Sequence, residues 1–159
     1  GWSWVTRVAR AVTERIWVLR RKRDSKNEIS KYKAGCVFID KRRVNRALIE
    51  TFSPAVRHTT VKASVAASVI RKRRRYTFDV TGAYLQGEYT ENEEVYARPP
   101  RGYRAIHDDG SPIVWKMHVP LYGQSDAGLV WFRTIRKQLM EKQGFNQSDA
   151  DPSYFWKRS

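Results

Sequence analysis

The sequence is 159 residues long and strongly basic, with 31 Lys and Arg against 16 Asp and Glu and a formal net charge of +15. At 41% hydrophobic and 13% aromatic residues, it is too apolar for a disordered chain. The absence of any apolar run of about 18 residues excludes a membrane-spanning helix. The single cysteine, Cys36, excludes an internal disulfide, and with three scattered histidines it also excludes a four-ligand zinc cluster.

The charge is concentrated in the first half of the chain. Residues 1–75 contain 21 Lys and Arg and 5 Asp and Glu, whereas residues 76–159 contain 10 and 11. The first half therefore predicts a polyanionic partner, with nucleic acid as the leading candidate. A solvated Arg-rich surface is the alternative explanation for the same composition.

Residues 1–14 form a segment of uncertain role, treated as a leader. Trp2 and Trp4 stand among basic residues, and no acidic residue precedes Glu14. This pattern is compatible with an organelle presequence, a truncated leading strand or a fusion scar. Because the sequence begins with Gly1 rather than Met, we expect it to start inside a longer reading frame.

Residues 15–75 are predicted to form a basic hairpin and a helix. The apolar run 16–19 and the segment 29–39 flank a polar turn at 24–27, which predicts a β-hairpin with basic flanks. Residues 40–50 resemble an Arg-rich loop. Thr59 and Thr60 are candidate helix caps, and the spacing of Val61, Val65 and Val69 predicts a helix with a buried apolar stripe.

A run of five cations, Arg71 to Arg75, follows this helix. Cations favour the C-terminal end of a helix because they interact with its negative pole. The run is also compatible with a phosphate-binding site or a nuclear-import signal, and the sequence does not decide among the three.

Residues 76–159 predict four strands and one long helix. The strands are expected at 76–80, 94–97, 113–119 and 153–156, with turns at 82–87 and 107–112. Ser125 and Asp126 are expected to cap the helix, Gly144 to end it, and a row of four apolar residues to form its buried side: Leu129, Phe132, Ile135 and Leu139. The order of elements indicates the α+β class.

Asp79 is the acidic residue that most needs an explanation, since Tyr76, Phe78 and Val80 around it predict a mostly buried strand. Burying a carboxylate costs several kcal/mol unless a cation or metal satisfies it. A functional carboxylate is one explanation. An aspartate that caps the turn at Thr81 and Gly82 is the other.

Five segments in order resemble copia-type LTR retrotransposon reverse transcriptases. Residues 78–87, Phe-Asp-Val-Thr-Gly-Ala-Tyr-Leu-Gln-Gly, resemble the first catalytic motif of that family. The hairpin at 23–34, the segment 50–60, the Val-Tyr…Pro-Pro…Gly-Tyr stretch at 95–103 and the segment 121–155 are similar to the neighbouring family motifs. The resemblance covers roughly residues 15–157.

The resemblance implies a partial right-hand polymerase fold, with a fingers β-hairpin in 15–75 and an incomplete palm sheet with packed helices in 76–159. It implies two Mg²⁺ ions that bring a primer 3′-hydroxyl onto the α-phosphate of a deoxynucleoside triphosphate. Asp79 and the Val80 carbonyl correspond to metal ligands. Lys33, Ala83 and Tyr84 correspond to the nucleotide site, where the aromatic ring crowds the sugar 2′ position. The expected phosphate contacts of the fingers are Arg20, Arg21, Lys22, Arg23 and Lys31.

The chain departs from the family pattern in three places. Gly35 stands where an arginine is usual, and residues 124–129 lack the usual two cations and include Asp126. Both changes affect regions near the nucleotide. The sequence also ends before the family's Tyr-x-Asp-Asp motif, so we expect that this chain alone does not polymerise.

The expected partners are an RNA template, a DNA primer, a deoxynucleoside triphosphate and the remainder of a Pol polyprotein, without a membrane. The resemblance implies an intracellular location, cytoplasmic or nuclear. The first reading is thus a polymerase fragment. The alternatives are a basic nucleic-acid-binding remnant without catalysis, in which Trp17, Tyr32 and Phe38 stack on bases, and a non-functional remnant.

Overall fold

The computed structural model describes residues 2–5, 12–39 and 51–158, and within these ranges the chain forms a mixed α/β fold. The elements are β1 (Trp2–Val5), β2 (Val12–Arg23), β3 (Ile29–Ile39), α1 (His58–Ile70), a 3-10 helix (Ala83–Gln86), β4 (Val95–Ala97), β5 (Val114–Met117), α2 (Ala127–Lys137), a π-helical turn (Gln138–Lys142), β6 (Asn146–Gln147) and β7 (Phe155–Trp156). The predicted Arg-rich loop at 40–50 lies outside the described residues.

Five strands form the main sheet in the order β1-β5-β4-β2-β3, and β6 pairs with β7 in a separate two-stranded sheet. In the main sheet, β2 and β4 run parallel, while the other neighbours are antiparallel. Strand β1 lies within the segment predicted as a leader, and it pairs with β5 from Trp2 opposite Met117 to Val5 opposite Val114. The main sheet therefore joins strands from all three predicted segments of the chain.

The predicted hairpin of β2 and β3 is confirmed. Its turn forms because the Asp24 carboxylate accepts hydrogen bonds from the backbone N–H groups of Lys26 (2.9 Å) and Glu28 (3.0 Å). Asn27 adopts the left-handed conformation at φ 64°, which asparagine tolerates better than most residues. The cross-strand register runs without a break from Glu14 opposite Ile39 to Lys22 opposite Lys31.

The core lies against the sheet and is built by β3, β4 and β5. Its buried side chains are Phe38, Val95, Ala97, Ile113, Trp115 and Met117, with Tyr89 and Leu121 packed at its border. Strand β2 extends beyond this core, so the outer part of the hairpin projects into solvent. The sequence predictions of strands at 94–97 and 113–119 are confirmed by β4 and β5.

Helix α2 packs through its N-terminal half. Leu129 is buried as predicted, while Phe132, Ile135 and Leu139 are only half-buried. The predicted N-terminal cap is wrong in detail, because Asp126 occupies the cap position without a side-chain hydrogen bond to the helix. Gly144 ends the helical segment at φ 68°, as predicted, since glycine adopts this conformation at low cost.

Helix α1 confirms the predicted helix, but the predicted buried valine stripe and the predicted threonine caps are both wrong. None of its residues is buried, and Val61, Val65 and Val69 are 40%, 37% and 65% exposed. The predicted apolar stripe is therefore an exposed one, and the expectation of packed helices holds only for α2. The predicted threonine caps are also wrong, since Arg57 is the N-cap residue.

The cap of α1 comes instead from residue 151. The Asp151 carboxylate accepts a 2.9 Å hydrogen bond from the backbone N–H of Arg57, and the residue is only 3% exposed. Two further bonds connect the same regions: the Ser153 hydroxyl donates to the Pro54 carbonyl (2.9 Å), and the Ser53 hydroxyl donates to the Gly128 carbonyl (3.0 Å). Segment 53–57 is thus anchored to α2 and to the loop before β7.

The strand predicted at residues 76–80 is not formed. Residues 73–80 have no regular secondary structure, and Tyr76 and Phe78 are 81% and 88% exposed. A strand requires hydrogen bonds to a neighbouring strand, and among the described residues nothing pairs with this segment. In the described part of the chain, no helix has the length and apolar character needed to cross a membrane.

Candidate active site

Asp79 lies exposed at the end of the unpaired segment, not buried in a strand. The predicted cost of burying its carboxylate therefore does not arise. The turn-capping alternative is also unsupported, because among the described residues no backbone N–H of the following turn donates to this carboxylate. The carboxylate is therefore open to solvent, and its assignment as a functional carboxylate stays a prediction.

A rigid turn follows Asp79 directly. Gly82 adopts φ 63°, after which the 3-10 helix Ala83–Gln86 closes with a hydrogen bond from the Leu85 N–H to the Gly82 carbonyl (2.8 Å). The Gln86 side-chain amide donates to the Thr81 carbonyl at 2.9 Å and ties the turn together. This confirms the turn predicted at 82–87.

Gly87 packs the end of this turn against α2. A Cβ atom added at Gly87 would lie 3.0 Å from Pro120 Cγ, 3.1 Å from Val130 Cγ1 and 3.2 Å from the Tyr84 carbonyl oxygen. Only glycine allows such a close approach without displacing its neighbours. The turn that carries the candidate nucleotide-site residues Ala83 and Tyr84 is therefore fixed to the buried part of the fold.

Tyr84 is half-buried, and its ring packs against Tyr122 with the centroids 5.2 Å apart and the planes tilted by 54°. Tyr122 belongs to a loop that docks on the hairpin, because the Phe38 N–H donates to the Tyr122 carbonyl at 2.8 Å. The Gln124 side chain fixes the same loop, since it accepts a hydrogen bond from the Leu121 N–H and donates one to the Tyr89 hydroxyl (2.7 Å). The loop thus connects the hairpin to the turn that carries Tyr84.

One face of the hairpin concentrates positive charge. In the β2–β3 register Arg20 lies opposite Lys33 and Lys22 opposite Lys31, and alternate residues of a strand share a face. All four side chains are exposed. Like charges placed directly opposite each other destabilise a strand pair. A polyanion bound on this face would relieve that repulsion.

The other face of the hairpin carries exposed apolar side chains beside Arg21. Leu19 and Tyr32 are 74% and 73% exposed. Trp17 is 41% exposed and its indole N–H donates to the Arg101 carbonyl at 3.0 Å. Of the three aromatics proposed for base stacking, Phe38 is excluded, since it is only 4% exposed and belongs to the core.

A cavity of about 380 Å³ separates the base of the hairpin from the Tyr84 turn; Trp17, Cys36 and Leu85 line it, together with core residues. Arg15 lies at this cavity, with its guanidinium carbon 4.1 Å from the centre of the Trp115 ring and its Nε donating to the Arg98 carbonyl (3.2 Å). Burial lowers the pKa of Arg15. Burial raises the pKa of the Cys36 thiol, which the Arg15 charge opposes.

Hydrogen bonds also lower the pKa of two carboxylates away from the candidate site. The Thr60 hydroxyl and the Arg57 N–H donate hydrogen bonds that lower the pKa of Asp151. Burial would raise the pKa of Glu93, but hydrogen bonds from Thr90 and Arg133 outweigh it and lower that pKa. Both carboxylates therefore serve structural contacts.

The described residues do not form a complete metal site. They contain no group of three or more His, Cys, Asp or Glu side chains that could hold an ion. Asp79, with the Val80 carbonyl beside it, is a single carboxylate position, whereas a two-metal site needs several. The ligand set predicted from the sequence therefore does not by itself fit two Mg²⁺ ions.

The structure groups the predicted site residues into two clusters. Asp79, Val80, Ala83 and Tyr84 lie on or beside the turn, while Arg20 to Arg23, Lys31 and Lys33 lie on the outer hairpin. No hydrogen bond or ion pair joins the two clusters within the described ranges. Sequence reasoning did not predict the contacts of Arg15, Gln124 and Asp151 with the distant residues Arg98, Tyr89 and Arg57, because no local pattern indicates them.

In a comparison with known protein families, residues 5–159 match a family model described as "Reverse transcriptase (RNA-dependent DNA polymerase)". The retrovirus-related Pol polyprotein from transposon RE1 of Arabidopsis thaliana is 31% identical over 140 residues, which is 87% of this chain and 9% of that protein. The corresponding polyprotein from transposon TNT 1-94 of Nicotiana tabacum is 27% identical over 145 residues, or 89% and 10%. The chain spans about a tenth of the length of these relatives. No solved structure gives a significant match.

Proposed function

This chain belongs to the reverse transcriptase family (RNA-dependent DNA polymerase), and from that premise we propose that it contributes the first catalytic motif and the template-contacting hairpin of an RNA-directed DNA polymerase. The family match and the Pol polyprotein relatives confirm the resemblance to copia-type reverse transcriptases. The observation that carries the proposal is the exposed Asp79 carboxylate, which directly precedes a turn fixed by Gly82 and Gly87.

In this proposal the hairpin β2–β3 is the fingers element, and the sheet with α2 is part of the palm of a right-hand polymerase. The mixed sheet supports this assignment, because Phe38 anchors the root of the hairpin in its core. The Tyr84 turn packs against α2 through Gly87. The loop containing Tyr122 connects the two elements through Phe38 and Tyr84. A nucleotide would lie at the turn and its phosphates toward the hairpin cations.

The partners proposed for this activity are an RNA template, a DNA primer, deoxynucleoside triphosphates and Mg²⁺, within a longer Pol polyprotein. Asp79 would supply one of the metal-binding carboxylates, and the remaining ligands would come from residues beyond those described. The contribution of this chain is therefore positional: Asp79 stands just before the turn that carries Tyr84, and Gly87 packs that turn against α2. Positioning and charge neutralisation are the main requirements of phosphoryl transfer.

The test is extension of a DNA primer on an RNA template by the natural protein that contains this sequence. Asp79→Asn should reduce the extension rate by about 1000-fold, because losing a metal-binding charge costs several kcal/mol of transition-state stabilisation. Template binding should not change. Asp149→Asn is the matched control, since Asp149 is exposed and lies outside both clusters. Extension that survives Asp79→Asn would overturn the proposal.

Nucleic-acid binding without catalysis is the second candidate function. The paired cations Arg20–Lys33 and Lys22–Lys31 favour it, because their repulsion is relieved by any polyanion and requires no metal. A pure binder would retain its RNA affinity in the Asp79→Asn variant and show no extension in either form. The primer-extension assay therefore separates the two functions.

A further inference from the structure

A second basic surface lies far along the chain from the hairpin, between the end of α1 and the β6–β7 pair. It is a cleft of about 480 Å³ lined by Arg71, Arg73, Tyr154, Trp156, Lys157 and Arg158, and we call it the C-terminal basic cleft. It shares no residue with the cationic hairpin. The sequence left the role of the Arg71 to Arg75 run open, and the structure brings two members of that run opposite aromatic side chains.

The backbone after α1 is shaped to place these cations. The N–H of Arg71 donates to the Ala67 carbonyl (3.0 Å), and Lys72 then adopts the left-handed conformation at φ 50°. The N–H of Arg73 folds back onto the Ser68 carbonyl at 2.8 Å. The chain therefore reverses direction within three residues at the helix end. Interaction with the helix pole accounts for a cation or two here, but not for Lys157 and Arg158, which follow β7.

The charge of the cleft is not compensated. Four of its six lining residues are cations and none is acidic. Within the described ranges, Arg71, Arg73 and Arg158 make no ion pair. Asp151, an acid on the neighbouring loop, is occupied by the backbone N–H groups of Arg57 and Ser153. Lysine carries three donors, and Lys157 uses one on the Gln143 carbonyl (2.7 Å).

Exposed aromatic rings stand among these cations. Trp156 is 39% exposed and Tyr154 is 36% exposed. The Arg158 guanidinium carbon lies 5.8 Å from the centre of the Trp156 ring. Cations that follow a phosphate backbone, combined with rings on which bases stack, are the recurring features of proteins that bind single-stranded nucleic acid. In a duplex the base faces are already stacked and cannot reach such a ring.

We propose that the C-terminal basic cleft binds single-stranded RNA or DNA, with phosphates on Arg71, Arg73 and Arg158 and one base stacked on Trp156. This goes beyond the proposed polymerase function, because it requires neither Asp79 nor a metal ion. Together with the hairpin it gives the chain two separate nucleic-acid contacts.

The test is fluorescence anisotropy of the full chain with a labelled 12-nucleotide oligo(U), titrated over a range of KCl concentrations. Substituting Arg71, Arg73 and Arg158 together by Gln should reduce the slope of log affinity against log salt by about 2, since each phosphate contact on a single strand contributes about 0.7. Trp156→Leu should weaken binding about 5- to 150-fold, the equivalent of one stacked base. Trp156→Phe should restore most of that loss, because it keeps a ring.

The controls separate this proposal from the hairpin and from catalysis. Lys62→Gln removes an exposed cation of α1 outside both surfaces and should leave the slope unchanged. Lys31→Gln with Lys33→Gln should reduce the slope while preserving the difference between Trp156→Leu and Trp156→Phe. Each variant is first compared with the parent by urea unfolding. Three results would each overturn the proposal: an unchanged slope in the triple variant, equal affinity of the two Trp156 variants, or tighter binding to a duplex of the same length. None of them depends on how Asp79→Asn affects primer extension.

Discussion

Gly123 provides the sharpest test of how the Tyr122 loop joins the hairpin to the core. It adopts φ 91°, and a Cβ atom there would lie 3.1 Å from the Phe38 nitrogen and inside the permitted contact distance of the Phe38 carbonyl oxygen. Alanine at this position must therefore push the loop away from β3. Doing so breaks the hydrogen bond from the Phe38 N–H to the Tyr122 carbonyl.

Two costs add up in Gly123→Ala. An L-residue with a positive φ costs about 1–2 kcal/mol, and forcing a methyl group into filled space costs about 1–3 kcal/mol. The free energy of unfolding should therefore fall by about 2–5 kcal/mol. Gly102 is a matched control, because it has a similar φ of 96° but open space within 4 Å of the same added atom. Gly102→Ala should incur only the first cost, so its free energy of unfolding should fall by about 1–2 kcal/mol.

Urea unfolding followed by far-ultraviolet circular dichroism measures both losses. Gly35→Ala completes the series, since its added Cβ meets nothing within 4 Å and its φ is not positive, so stability should stay the same or rise slightly. If Gly123→Ala and Gly102→Ala lost equal stability, the loop would not be packed on β3 as described, and the proposed connection between hairpin and turn would be refuted.

Two further predictions concern the turn and the cap of α1. Tyr84→Ala should remove the ring pair with Tyr122, worth about 0.5–1.5 kcal/mol of stability, and in the polymerase it should lower discrimination against ribonucleotides about tenfold or more. Tyr84→Phe should keep both the ring pair and the discrimination. Equal discrimination by the two variants in single-nucleotide incorporation assays would contradict the assignment. The folded-state pKa of Asp151 lies below its ordinary value of 3.8, so its contribution to stability is complete above that pH and is lost as the pH falls through the lowered pKa. Asp151→Asn should therefore reduce stability at pH 7 and weaken the loss of stability as the pH falls below about 4. Urea midpoints of the variant that keep the parent's pH dependence would exclude Asp151 as the cap of α1.

The local elements of the fold could be predicted from the sequence. The Asp24 to Asn27 turn, the strands β4 and β5 and the end of the helical segment before Gly144 all depend on residues close in the chain. The resemblance of residues 78–87 to a family motif could also be recognised, because they form a contiguous segment with fixed spacing. The catalytic role of Asp79 stays a prediction. The turn, strand and helix-end predictions needed only local turn chemistry and hydrophobic periodicity, whereas the motif at 78–87 rested on the resemblance to a known family.

The wrong predictions all depended on partners distant in sequence. The pattern around Asp79 is that of a strand, but a strand forms only where another lies beside it. The valine stripe of α1 has helical spacing, but spacing cannot say whether another element covers it. The cap of α1 comes from Asp151, 94 residues further along, and nothing near Thr59 indicates it. The C-terminal basic cleft likewise joins residues that are more than 80 positions apart.

The central claim is that the Asp79–Tyr84 region meets the growing primer end. The most direct measurement uses a primer with a photoreactive 3′ nucleotide, annealed to an RNA template and bound to the natural protein that contains this sequence. After irradiation and trypsin digestion, mass spectrometry identifies the cross-linked peptide. The account predicts the peptide of residues 76–101, which contains both Asp79 and Tyr84. Cross-links confined to the hairpin or to the C-terminal basic cleft, with none in residues 76–101, would contradict it.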